Sequence, residues 1–363
     1  MGALYVHIPF CHAKCAYCDF YSIANPARIA DAARAIAREY ALRRDEVKEP
    51  MRTLYFGGGT PSILPGDVFS SLAGVLKEET VEEFTTEINP EDVSPEKTSV
   101  WKEAGVNRVS MGVQSFDDDE LHTIRRRHTA AEAVAAFKTL RDAGISNISL
   151  DLIYALPGQT LESWKMSVDR LLSLHPEHFS AYCLSYEPDT LLHLRLKRGE
   201  ITPASDELVE AMYGYLCEAA RRAGYEHYEI SNFALPGFRS RHNSSYWNRT
   251  PYLGLGPGAH SCDSNGLRRF NPPDLKQYLS GLPAFETEEE SSEERTNDTI
   301  ITALRTAEGL DPEQIAPEFR SNVLRAAAPH LASGNLSRHN NRIYIPESRW
   351  LISDSILRDL IIV

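Results

Sequence analysis

Over its first two thirds the chain alternates between two hydrophobic periods. Runs of strand length, rich in β-branched and aromatic residues, begin at Leu4 (LYVHIP), Thr53 (TLYFGG), Phe84 (FTTEIN) and Arg108 (RVSMGV). Three more begin at Ile148 (ISLDLIYA), Phe179 (FSAYCLSY) and His227 (HYEISNFA). Between them lie segments whose apolar residues repeat with helical spacing, as at 28–44, 130–143 and 161–174. Repeated strand–helix alternation predicts an α/β fold with parallel strands and right-handed crossovers, either a barrel or an open sheet.

The polar residues favour the barrel. In αβ barrels, functional groups collect at the C-terminal ends of the strands. Here a cysteine loop follows the first strand, and Gly57, Gly58, Gly59 and Thr60 end the second. Glu87 ends the third and Gln114 the fourth, while Asp151 and Tyr182 lie in the fifth and sixth. One shared mouth, in a full or partial barrel, would gather them. After about Pro236 the pattern changes to Gly-, Pro- and Asn-rich runs (PYLGLGPGAH, FNPPDL) and an acidic stretch at 286–294, read as a solvated loop or linker. Helix-like segments at 296–307 and 321–328, a hairpin-like RIYIP and a helix at 352–361 follow. The expectation is a core domain over 1–236 and a smaller α-rich domain over 237–363.

With 363 residues the chain is long enough for both. No apolar run approaches the roughly 20 residues needed to span a bilayer, so no integral membrane segment is expected. The N-terminal MGALYVHIPF has no positive n-region or cleavage pattern, and Val6 stands where myristoylation requires Ser or Thr. A cytoplasmic location follows as the default. The net charge of −13 repels phosphate backbones and anionic headgroups, which excludes nucleic acid as an expected partner and leaves peripheral membrane association at most.

Three of the six cysteines, Cys11, Cys15 and Cys18, form a C-x3-C-x2-C loop; Cys183, Cys217 and Cys262 stand alone and read as buried apolar residues. Three thiolates on one loop can hold three irons of a 4Fe–4S cubane and leave the fourth iron open. Zinc on the same cysteines with His7 or His12 also fits the spacing. Tyr17, just before the third cysteine, could pack on an adenine. The GGGTPS run at 57–62 allows close backbone approach of a ligand, although it could equally be a tight turn.

YVHIPFCHAKCAYCDF, followed in order by YFGGGTPS, TEINPED, GVQSF and DLIYALPGQT, resembles the HemN/HemW branch of the radical SAM superfamily over almost the whole chain. The resemblance implies a partial (β/α)6 barrel followed by a HemN-type C-terminal domain. It implies a 4Fe–4S cluster on Cys11, Cys15 and Cys18, whose open iron takes the amino and carboxylate groups of S-adenosylmethionine (SAM). SAM contacts carry over to Tyr5, Tyr17, Gly58, Gly59, Thr60, Glu87, Gln114, Arg126 and Asp151, with Arg127 the alternative to Arg126. Glu87 and Asp151 suit an ammonium or ribose hydroxyls, and Arg126 suits a carboxylate.

Within that branch two functions compete. One is the oxygen-independent coproporphyrinogen III dehydrogenase, which decarboxylates two propionates; the other is a chaperone that binds haem and hands it to respiratory haemoproteins. The branch's dehydrogenases continue the cysteine motif where this chain has Phe20, and they extend before the first strand, which starts here at Leu4. HNSSYW at 242–247 matches the H-N-x-x-Y-W motif proposed for haem in the chaperones. His242 is therefore the candidate haem ligand, with Tyr246 and Trp247 to pack on the macrocycle. The expected function is a haem chaperone carrying cluster, SAM and haem, without dehydrogenase activity.

Overall fold

In the computed structural model, which describes residues 1–281 and 285–362, the first six expected strands form and pair in sequence order. They are β1 (Gly2–Ile8), β2 (Met51–Gly58), β3 (Glu83–Ile88), β4 (Arg108–Gln114), β5 (Ile148–Tyr154) and β6 (His178–Cys183). Every pair is parallel; Tyr5 lies opposite Tyr55, Glu87 opposite Ser110 and Gly112 opposite Asp151. Both faces of these strands are covered, which is why β1, β2 and β5 read as largely apolar runs.

Helices Ile29–Arg43, Gly66–Leu76, Pro95–Glu103, Ala130–Asp142 and Leu161–Ser173 return the chain between strands. Their apolar stripes bury Ile36, Phe69, Trp101, Phe137 and Trp164, each worth about 1.5–3 kcal/mol. Two start where the side chains dictate: Thr129 forms a capping box with Glu132, and Thr160 forms one with Ser163.

The seventh run is not one strand. HYEISNFA folds as a hairpin of β7 (Glu226–Glu229) and β8 (Asn232–Ala234), with Ile230 and Ser231 at the bend. Ser231 is the turn-favouring residue at this bend. β8 pairs antiparallel to β6, with His178 opposite Ala234, so the parallel run ends at β6 on this edge and the barrel is partial.

After Pro236 the chain crosses to the other edge of the sheet. β9 (Tyr252–Leu255) pairs parallel to β1, and β10 (His260–Cys262), β11 (Leu267–Phe270) and β12 (Glu286–Glu289) follow as an antiparallel meander. The acidic stretch expected as a loop thus supplies an edge strand and the capped start of helix Ser292–Leu304. Charged side chains are common on such edges, where they block further pairing. The expected 236/237 boundary falls between β8 and β9, which belong to one twelve-stranded sheet. Helices Pro317–Ser333 and Ser353–Leu360 and the hairpin Ser337–His339/Arg342–Tyr344 complete the C-terminal part. Among the described residues no helix is long and apolar enough to cross a membrane.

Of the three isolated cysteines, Cys217 is buried as expected. Cys183 is exposed, because it ends β6 at the mouth of the barrel, and Cys262 is half-buried near the sheet edge.

Candidate cofactor site

The cysteine loop is built by its backbone. Its neck is closed by the Cys11 N–H donating to the Ile23 carbonyl (3.1 Å) and the Ile23 N–H donating to the Pro9 carbonyl (2.8 Å). Its middle is pinned at buried Ala16, whose N–H donates to the Ile124 carbonyl (3.0 Å) and whose carbonyl accepts from the Leu192 N–H (2.9 Å). Ala16 packs with Ile124, Ile153, Leu156 and Leu192 in an apolar cluster separate from the main core. Half-buried Cys11, Cys15 and Cys18 are presented around this anchor.

Thr60 Oγ1 donates to Cys11 Sγ at 3.4 Å and Arg126 Nη1 to Cys15 Sγ at 3.5 Å. Burial raises the pKa of Cys11 and pushes that of Cys18 up to about 11, so metal binding must expel thiol protons. The histidines of the zinc alternative are committed elsewhere. His7 contacts the Tyr21 carbonyl through Nε2 (2.8 Å) and the Tyr5 hydroxyl through Nδ1 (3.2 Å), while His12 Nε2 pairs with Asp92 (2.8 Å). The three sulfurs are a donor set that fits three irons of a cubane with one iron open.

A cavity of about 480 Å³ opens beside the loop at the strand C-termini, a size suited to a small-molecule site. Its wall holds the three cysteines together with Tyr17, Gly58, Gly59, Thr60, Glu87, Gln114, Arg126 and Asp151. Tyr5 is the exception among the expected SAM contacts. It sits deeper on β1, its hydroxyl on His7 and its ring 6.1 Å from that of Tyr55.

Gly58 has φ +104°, and a Cβ there would lie 2.5 Å from the His7 ring; a Cβ on Gly59 would lie 2.7 Å from the Phe10 carbonyl. The glycine turn is therefore both a packing requirement and part of the cavity wall. Glu87 accepts from the Tyr55 hydroxyl (2.8 Å) and the Gly58 N–H (3.2 Å), and burial, with Asp151 nearby, pushes its pKa up to about 7. Asp151 accepts from Ser110 (3.1 Å) and is likewise raised by burial. Arg108, 1% exposed at the start of β4, opposes both shifts.

Arg127 is exposed, whereas Arg126 lines the cavity. Its Nη2 donates to the Gly112 carbonyl (2.6 Å) and to Asn89 Oδ1 (2.8 Å). Burial works against its charge, but Tyr17, Cys15 and Glu91 outweigh that and hold its pKa above the ordinary arginine value. Asn89 Nδ2 in turn donates to Thr60 Oγ1 (3.3 Å). A continuous chain thus runs from Cys11 through Thr60, Asn89 and Arg126 to Cys15. Asn89 and Gly112 were not among the expected site residues, although both lie inside the quoted TEINPED and GVQSF runs. A Cβ on Gly112 would meet Gln114 Nε2 at 2.8 Å and Arg126 Nη2 at 3.4 Å, so a side chain there would displace the ends of both groups. Gln114 itself has φ +69° beyond a bulge in β4, which turns it into the cavity.

The expected haem ligand, His242, is not brought to this cavity. It lies buried on helix Arg241–Trp247, near the opposite end of the strands, with Nδ1 on Thr53 Oγ1 (2.8 Å) and Nε2 on the Tyr246 hydroxyl (3.0 Å). Glu83 accepts from its backbone N–H (3.0 Å), and burial pushes its pKa down to about 3. With both ring nitrogens engaged and Tyr246 consumed by one of them, the motif forms a floor under the barrel instead of an open ligand. Its ring stacks on Tyr55 (centroids 4.7 Å apart), whose hydroxyl holds Glu87. His242 supports the cavity from below.

Comparison with known proteins agrees with this geometry. The sequence profile of the radical SAM superfamily matches residues 5–171. The chain is 36% identical to the heme chaperone HemW of Bacillus subtilis, covering 88% of this chain and 87% of that protein. It is 32% identical to the heme chaperone HemW of Mycobacterium tuberculosis (strain H37Rv), covering 99% and 94%. The solved coproporphyrinogen III oxidase HemN of Escherichia coli, described as a radical SAM enzyme, superposes with a TM-score of 0.84 over 99% of this chain and 89% of that one. At 23% identity, that last likeness concerns the fold alone.

Proposed function

We propose, on the premise that this chain belongs to the HemW family of the radical SAM superfamily, that it is a haem chaperone carrying a 4Fe–4S cluster and SAM and delivering haem to respiratory haemoproteins. The observation that carries the cofactor half is the shared wall, on which three thiols and eight of the nine expected SAM contacts line one cavity. Cys11, Cys15 and Cys18 would hold three irons. When bound, the cluster supplies the electron that breaks a sulfonium C–S bond of SAM.

The chain's own residues bind and orient. Glu87, braced by Tyr55 and the Gly58 N–H, would accept the SAM ammonium, and Asp151, braced by Ser110, the ribose hydroxyls. Arg126 would supply positive charge for the carboxylate, and Tyr17 a ring face for the adenine. The chain from Thr60 through Asn89 to Arg126 keeps two cysteines and the carboxylate-binding group in one register.

Glu87 gives this reading a pH signature. A carboxyl whose pKa is raised to about 7 is protonated below that pH, so an ammonium ligand must first displace its proton. SAM affinity of the cluster-loaded protein should rise between pH 6 and 7, by up to about tenfold per unit, and level off above. Glu87→Gln should flatten the profile. Isothermal titration across pH 6–8 checks this, and a wild-type affinity independent of pH would contradict it.

The haem half rests on the relatives, which bear the name heme chaperone, and on Phe20, 63% exposed at the cavity edge where the branch's dehydrogenases have a further cysteine. A cytoplasmic site of action, with at most peripheral contact to membranes, belongs to the same proposal. Anaerobically reconstituted protein should shift the Soret band of haem and saturate near one equivalent, yet make no protoporphyrinogen IX from coproporphyrinogen III and SAM. Sustained conversion of that substrate would overturn the chaperone reading in favour of the dehydrogenase.

A further inference from the structure

Away from the cofactor cavity, three metal-ligating side chains from three elements converge: Cys217 on helix Asp206–Arg222, His227 on β7 and Glu347 opening the turn Glu347–Ile352. Cys217 Sγ lies 3.8 Å from His227 Nδ1, and Nδ1 lies 3.0 Å from Glu347 Oε1. All three donor atoms fall within 4.8 Å of one another. A tetrahedral zinc, with bonds of about 2.0–2.1 Å to nitrogen, 2.0–2.2 Å to oxygen and 2.3 Å to sulfur, sets its ligand atoms about 3.3–3.6 Å apart. The observed separations bracket that range.

The surroundings hold the donors in place. Arg221 Nη2 donates to the other carboxylate oxygen, Glu347 Oε2 (2.6 Å), and leaves Oε1 turned to the centre. The His227 ring is stacked on Phe233 (centroids 3.9 Å) and met edge-on by Trp350 (4.3 Å), and its side chain is 5% exposed. His227 Nε2 is buried without a hydrogen-bond partner. An ion pair between Arg221, Glu347 and His227 explains two of the contacts, but not the Cys217 thiol 3.8 Å from the same ring nitrogen.

We propose that Cys217, His227 and Glu347 form a second metal site, for one divalent cation of the zinc class, with the fourth coordination position open. Sulfur, nitrogen and a single carboxylate oxygen suit zinc, not calcium or magnesium. Binding sends the Cys217 thiol proton to solvent and moves the His227 ring proton from Nδ1 to the unpartnered Nε2; nothing is oxidised or reduced. Cavities of about 300 and 740 Å³ share Cys217, Arg221 and Glu347 as wall, so a water or an incoming ligand atom has access to the open position. The cation also ties the C-terminal turn to the hairpin edge of the barrel. Three protein ligands with one vacancy is the layout of a ligand-accepting zinc site, whereas structural sites are closed by four.

The test uses cluster-loaded protein, in which the loop cysteines are occupied, supplied with one equivalent of zinc and examined at the zinc K-edge, where iron is silent. The expected spectrum shows about one zinc per chain with a single sulfur near 2.3 Å and nitrogen or oxygen near 2.0 Å. Cys217→Ser should remove the sulfur shell, and Glu347→Gln should weaken zinc at least about tenfold. Circular dichroism confirms folding; Glu347, being partly exposed, provides the variant that folds even if the Cys217 change does not. Wild-type protein that retains no zinc, a spectrum with several sulfurs, or a spectrum unchanged in Cys217→Ser would overturn the proposal.

Discussion

Replacing Cys15 with serine is expected to leave anaerobically reconstituted protein colourless, its iron falling from about four per chain to background. Two sulfurs cannot hold a cubane that already has one open iron. The fold should survive, because the loop is fastened by the Ala16 backbone to Ile124 and Leu192 and not by the thiol. Iron analysis beside circular dichroism reads both outcomes. A serine variant that keeps a full complement of iron would show that the loop is not the cluster site. The Arg126 contact to Cys15 predicts a milder relative: Arg126→Ala should assemble the cluster but bind SAM more weakly.

The second large effect concerns His242. His242→Ala deletes a buried ring stacked on Tyr55 and strands the Thr53 hydroxyl and the Tyr246 hydroxyl. Loss of a buried aromatic-sized side chain together with its hydrogen bonds should cost about 3–5 kcal/mol of folding stability. Tyr55 is then free to tilt, and with it the hydrogen bond to Glu87, so SAM binding should weaken too. Haem binding by the protein that remains folded should be unchanged. Denaturant midpoints and a haem titration on the same variant check this pair. Intact stability with a lost Soret shift would instead make His242 a haem ligand, reached by opening of the floor helix.

β1 to β6 and their crossovers were legible because the strands carry short runs rich in β-branched and aromatic residues, and the helices between them an amphipathic period. The hairpin of β7 and β8 was hidden, since Ile230, Ser231 and Asn232 break a run of ordinary strand length without Gly or Pro to mark the turn. β9 to β12 were missed for another reason: they are three or four residues long, and they pair only because β1 offers a free edge, a fact of tertiary structure. At the site, charged and sulfur-bearing residues announced themselves. Neutral connectors such as Asn89 and Gly112 act through position, which no residue type reveals. HNSSYW carried its chemistry openly and its location not at all, so an imidazole suited to iron turned out to brace the barrel floor.

The central claim is that this chain moves haem, and haem transfer is its most direct test. Reconstituted protein loaded with one equivalent of haem is mixed with an apo-haemoprotein of the respiratory chain, and the acceptor's own absorption bands are followed after separation of the two. Transfer that is faster than from free haem and saturates with the acceptor is the predicted result. Haem that stays bound, or that reaches the acceptor no faster than from solution, would contradict the account.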